Sequence, residues 1–178
     1  MTGLRVQPVD AKHIRISDIE PFLADCLQGL GEILEQRDSP KAHERLFPNP
    51  TASDDAANAE WQQQTTPEMR HLFVSAGETV VRDLTALKPD EHETALFAVT
   101  FPAEHVNAWM SALNQARLIL GEMFSVTEAD MNATNLDVRS EKTLAIVRIH
   151  LLGYLLQLFV ELESGESEEH SDESQTSV

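Results

Sequence analysis

The chain has 178 residues, with 13 Lys and Arg against 30 Asp and Glu, which gives a formal net charge of −17. This length fits one domain that can bury most of the apolar surface of a compact core. Because nucleic acids and anionic membranes would repel so acidic a chain, we expect neither as a partner.

The N-terminal part is predicted to contain a lead-in, a strand and a helix. Residues 1–11 show little periodicity and are predicted to be a loose lead-in. His13–Ser17 alternates apolar and polar residues, which predicts a short strand. Ser17 and Glu20 match a capping box, so we expect an amphipathic helix from there to about Arg37.

The middle of the chain is predicted to contain a long connection and two helices. Asp38–Ser53 is rich in Pro and turn-forming residues, which is typical of a loop. A short polar helix is predicted around Asp54–Gln64. Thr66 as N-cap and Pro67 at the first helical position begin a stronger helix, and Pro89 ends it.

The second half begins with a second strand, Ala95–Phe101, which is suited to pairing with the first. An amphipathic helix is predicted over Pro102–Phe124, followed by an irregular link at Val126–Asp137. Ser140 is expected to cap the last helix, which is apolar on nearly all sides as far as Leu162. Such a helix is predicted to lie at the centre of a bundle.

These elements predict a mainly α fold, a single-domain helical bundle of four main helices plus one short helix, with a small two-stranded β-sheet. The bundle domain covers residues 12–162 and follows the lead-in of residues 1–11. Residues 163–178 form an acidic tail rich in Ser and Glu, which is expected to be disordered because it cannot offset its own ordering entropy.

A cytoplasmic location is predicted. Cys26 is the single cysteine and cannot form an intramolecular disulfide, and residues 1–9 lack the pattern of a signal peptide. Thr143–Leu162 has the length of a membrane span, but it contains Arg148 and Glu161 on different faces. We therefore interpret it as a buried helix of a soluble protein.

One cation interrupts the apolar stripe of the helix predicted over Pro102–Phe124. Arg117 lies four residues after Leu113 and three before Leu120, which places it at or beside the buried face. Asp83 occupies a similar position on the preceding main helix. Because a buried charge needs a partner, we expect an Asp83–Arg117 ion pair between two antiparallel helices.

The same region allows a second interpretation. Arg117 and Asn114 would hold an anionic group in a pocket lined by Trp109. An Asp83–Arg117 pair without a cavity beside Trp109 would favour the structural role, and an open cavity with an unpaired guanidinium would favour the pocket.

The chain shows no recognisable reaction centre. Glu68 and His71 form one Glu-x-x-His motif, but a di-metal bundle needs a second copy, and none exists. Cys26 lies on the apolar stripe of the first helix, where an inert packing role is expected. Because the G-x-S-x-G, phosphate-loop and dinucleotide motifs are absent as well, we predict no catalytic, cofactor or metal site.

A set of residues resembles an uncharacterised bacterial family, a domain of unknown function, over about His13 to Phe159. The set comprises Arg45, Leu46, Phe47, Pro48, Ala76, Glu78, Thr79, Val80, Trp109, Leu113, Asn114, Arg117, Leu118, Leu120 and Gly121. Members of that family are often encoded beside ClpS, the adaptor that delivers substrates to a ClpP-type protease. The resemblance implies a small, mainly helical cytoplasmic protein that is linked to regulated proteolysis. The link to proteolysis rests on gene order.

We therefore expect a non-enzymatic module that binds another cytoplasmic protein, with a component of a Clp-type protease pathway as the implied partner. The acidity of the chain suggests a partner with a basic patch. The alternative is a small anionic-ligand-binding bundle or weak enzyme with a pocket around Trp109, Asn114 and Arg117. Self-association into a homodimer through surplus apolar surface on the last helix is compatible with either function and stays open.

Overall fold

The computed structural model describes residues 3–132 and 139–165. Within them the chain forms four β-strands, seven α-helices longer than one turn and one single-turn helix. The strands are β1 (Arg5–Pro8), β2 (His13–Ile19), β3 (Lys88–Pro89) and β4 (Phe97–Pro102). The helices are α1 (Pro21–Gln28), α2 (Leu30–Glu35), α3 (Pro40–Leu46), α4 (Asp55–Gln64), α5 (Thr66–Asp83), α6 (Val106–Met123), the single-turn α7 (Glu128–Met131) and α8 (Glu141–Ser164).

The sheet has four antiparallel strands in the order β1-β2-β4-β3, so the predicted two-stranded sheet is wrong. The predicted pairing of the two longer strands is present, with Ile14 opposite Phe101. The predicted lead-in contains β1, in which Val6 faces Ile16. These four apolar side chains are buried and form the inner face of the sheet, as the two-residue period of a strand requires.

The predicted set of four main helices is also wrong, because the first one is broken into two. Gly29 lies at the junction of α1 and α2, where it ends α1 and begins α2. The predicted capping box does not form, since Ser17 is paired in β2 and Pro21 takes the first position of α1. Strand hydrogen bonds at Ser17 therefore replace the local helix cap.

Two predicted irregular segments contain helices. The long connection after Asp38 includes α3, which has Pro40 at its first position and is anchored by the buried Leu46 and Phe47. The predicted link at Val126–Asp137 includes α7, which Thr127 caps. Residues 133–138 of that link lie outside the described residues, as does the predicted acidic tail from residue 166 onward.

The helix at the centre of the fold is α6, which packs against α2, α3, α5 and α8. Trp109 on α6 stacks on Phe101 of the sheet at a ring-centroid distance of 4.7 Å and lies 6.0 Å from Phe159 of α8. The prediction that the last helix is central is wrong, since α8 packs one side against α6 and leaves Tyr154 51% exposed on another. By length and composition α8 is apolar enough to cross a membrane, a property that it shares with core helices of soluble proteins.

Candidate functional site

The predicted site residue Asp83 lies at the end of α5 and is only 9% exposed. Its carboxylate accepts a hydrogen bond from Trp109 Nε1 at 2.9 Å. It also contacts Nδ1 of His105 at 2.9 and 3.0 Å. Asp83 and Trp109 are therefore brought together, but the predicted Asp83–Arg117 pair is not present.

Arg117 packs against α8 instead of pairing with a carboxylate. A Cβ atom added at Gly153 would lie 3.1 Å from Arg117 Nε and 3.2 Å from its Cζ, so the guanidinium occupies the space that this glycine leaves. No hydrogen-bond partner for Arg117 Nε is found among the described residues. Arg117 as a whole is half-buried, so the prediction of a fully buried cation that is paired with an acid is wrong.

This contact predicts an unusual result for Gly153→Ala. Alanine within a helix gains about 0.5–1 kcal/mol over glycine. At this position the gain is expected to be cancelled, because the new Cβ would press on the Arg117 guanidinium. In an Arg117→Ala background the same change should raise the free energy of unfolding by the full amount. Urea unfolding of the wild type, the two single variants and the double variant measures the difference. Equal effects in both backgrounds would contradict the contact.

The alternative pocket is not assembled from its predicted residues. Trp109 is fully buried between aromatic rings, whereas Asn114 is exposed on α6. The cavities described below are lined by other residues. An anionic-ligand site at Trp109, Asn114 and Arg117 therefore has no geometric support.

A second buried polar cluster was not predicted. Arg37, which follows α2, donates to Gln115 Oε1 at 3.1 and 3.3 Å and to the Phe73 carbonyl at 3.5 Å. Gln115 is 2% exposed and lies on a face of α6 beside the predicted stripe. Burial lowers the pKa of Arg37. This cluster joins three helical segments, so its role is to stabilise the fold.

The surface of the molecule carries an apolar area that is only partly covered, here called the apolar surface. On α8 its residues follow one another at spacings of three and four, and none of them is buried. Phe22 of α1, 39% exposed, extends it sideways. The apolar surface consists of Phe22, Leu144, Val147, Leu151, Tyr154 and Leu158.

An apolar cleft with a volume of about 230 Å³ opens within the apolar surface. Phe22, Leu151 and Tyr154 line it together with Leu96 and with residues 3 and 4, which precede β1. Asp18 and Glu20 are the charged residues of its lining. The cleft is thus an apolar depression with acidic groups on one side.

A polar cleft of about 360 Å³ adjoins the apolar cleft, and Asp18 lines both. Asp18 has a positive φ of 58° at an irregularity in β2, a conformation that Asp tolerates better than most residues. Arg5 Nε donates to Asp18 at 2.7 Å, and Arg15 Nη2 donates to Asp90 at 2.8 Å. Two ion pairs therefore hold the polar cleft in shape.

Asp90 fixes the turn over the polar cleft. The backbone N–H of His92 and then the Arg15 guanidinium lower the pKa of Asp90 below its ordinary value of 3.8. A lowered folded-state pKa contributes stability above the ordinary pKa, and this contribution is lost as the pH falls through the folded value. We expect the NMR signals of the His92 backbone amide and the Arg15 guanidinium to report the protonation of Asp90 together, at a pH below 3.8. A shared transition near neutral pH would contradict this assignment.

The geometry offers little for catalysis. In the described ranges no three or more His, Cys, Asp or Glu side chains come close enough to hold a metal ion. Cys26 is buried, and its desolvation raises the pKa of the thiol, so the nucleophilic thiolate is disfavoured. His105 and Asp83 form a pair typical of general bases, but no hydrogen bond between the other ring nitrogen of His105 and a Ser or Cys side chain is found among the described residues.

Comparison with known proteins gives a family and no activity. The family model described as a domain of unknown function, DUF2017, matches residues 15–162. No curated protein and no solved structure matches the chain. Since the match covers most of the chain, the protein belongs to this family.

Proposed function

We propose that this member of the DUF2017 family is a non-enzymatic module that binds another protein in the cytoplasm through its apolar surface. The observation that carries the proposal is the row of apolar side chains along α8, in which Leu144 and Tyr154 are exposed and the others partly exposed, beside the exposed Phe22. Scattered apolar residues are normal on protein surfaces, but contiguous ones mark sites of interaction.

The composition of the apolar surface supports protein binding. Aromatic residues are enriched in the centres of interfaces, and here Phe22 and Tyr154 line the same cleft. Polar groups lie at its border, where Asp18 is held by Arg5. A buried apolar centre with a polar border is the usual arrangement of a specific interface.

The resemblance of the sequence to the bacterial family of unknown function indicates which partners to test first. Because members of the similar bacterial family are often encoded beside ClpS, we propose a component of a Clp-type protease pathway as the bound protein. This choice of partner is independent of the location of the binding surface, so either part of the proposal can fail alone.

Affinity capture from a native lysate tests the surface. Tyr154→Glu places a charge in the apolar cleft. It is expected to weaken the affinity for the partner about tenfold, equivalent to about 1.4 kcal/mol of binding free energy, and to reduce the amount of partner captured. Leu72→Glu is the matched control, because Leu72 is 61% exposed on α5, away from the apolar surface. Both variants should keep the wild-type circular dichroism spectrum. Equal loss with both variants, or no loss with Tyr154→Glu, would contradict the proposal.

A further inference from the structure

We infer that the occupant of the apolar surface is a basic amphipathic helix of a partner protein, an inference that rests on the proposed function. The row of apolar residues on α8 has the three-and-four spacing with which one helix meets another. A helix lying along α8 would place its own apolar side chains against this row and one of them into the apolar cleft.

The charges that line the apolar cleft favour a cationic helix. The cation of α8 next to Val147 in sequence, Arg148, is not part of this lining and interacts with Cys26 of α1. Asp18 and Glu20 line the cleft, and its lining contains no Lys or Arg. Glu161 lies on α8 one helical turn beyond Leu158 and two turns beyond Tyr154. Asp18 is already bonded to Arg5, but no ion pair to Glu20 or Glu161 is found in the described part of the chain. Glu161 Oε1 accepts a hydrogen bond from Gln157 Nε2 at 3.1 Å within α8. Because neither Glu20 nor Glu161 is paired with a cation in that part of the chain, each can still form an ion pair with a lysine or arginine side chain of a partner.

The same charges argue against a second copy of this chain. Self-association along α8 would bring two chains together that each carry a net charge of −17. Like charges placed across an interface disfavour the complex, whereas a cationic partner gains both attraction and faster association. A basic partner therefore fits the apolar surface better than a homodimer.

Two designed helical peptides test the inference with the full-length protein. One contains Leu at three-and-four spacing with Lys elsewhere, and the other has the same Leu pattern with Glu in place of Lys. We expect the Lys peptide to bind at least about tenfold more tightly than the Glu peptide by fluorescence anisotropy. Tyr154→Glu should weaken binding of the Lys peptide by a similar factor.

A charge reversal separates specific docking from general attraction to an acidic protein. Glu20→Lys with Glu161→Lys should reduce the preference for the Lys peptide at least about tenfold. Glu44→Lys with Glu68→Lys changes the net charge equally on α3 and α5, and it should leave the preference within about twofold. Equal effects of the two double variants would overturn the inference.

The outcomes also distinguish this inference from the proposed function. If lysate capture depends on Tyr154 but the Lys peptide shows no preference, the surface binds proteins and the basic helix is the wrong partner. If sedimentation shows a dimer that Tyr154→Glu dissociates, a second copy is the occupant and the inference fails. If neither capture nor peptide binding depends on Tyr154, both proposals fail.

Discussion

Asp83→Ala is expected to lower the free energy of unfolding by about 1.5–3 kcal/mol, the cost of taking a charged acceptor away from buried donors. The substitution would leave the Trp109 indole N–H without its acceptor at 2.9 Å and remove the carboxylate beside His105. The indole N–H lies in the core, so water cannot easily replace the lost bond. Urea unfolding followed by circular dichroism measures the change.

Asp38→Ala is the control for this prediction. Asp38 is paired with Arg70, but both side chains are about half exposed. An exposed ion pair contributes about 0–1 kcal/mol, so this variant should unfold close to the wild type. Trp109→Phe should reproduce part of the Asp83→Ala loss, because it removes the same hydrogen bond and keeps a ring in the core. Similar stability of the Asp38 and Asp83 variants would show that the buried cluster does not stabilise the fold.

The sequence placed Asp83 on a buried face but assigned it the wrong partner. Helices α5 and α6 are antiparallel, since Phe73 meets Gln115 and Asp83 meets His105. The end of α5 therefore contacts the beginning of α6. Arg117 is eight residues beyond Trp109, about 12 Å farther along the helix, and is out of reach. Periodicity identifies the face of a residue but does not fix which turns of two helices are adjacent.

The apolar surface could not be predicted from sequence patterns either. The apolar residues of α8 predicted a central helix, because periodicity does not distinguish side chains covered by the same chain from those left for a partner. The strands β1 and β3 were missed for a related reason. Both are short and contain a proline, and it is pairing with the following strands β2 and β4 that makes them strands.

Gln115→Leu is expected to destabilise the protein by about 1.5–3 kcal/mol, the usual cost of losing hydrogen bonds to a charged group. The buried Arg37 would keep only the Phe73 carbonyl, at 3.5 Å, from the hydrogen bonds that now hold it. Arg37→Met in the same background should recover most of the loss, because the unpaired charge is then gone. Gln64→Leu, at an exposed glutamine of α4, should change the stability by less than about 0.5 kcal/mol in urea unfolding. Failure of Arg37→Met to rescue would mean that Gln115 stabilises the core through packing and not by solvating this guanidinium.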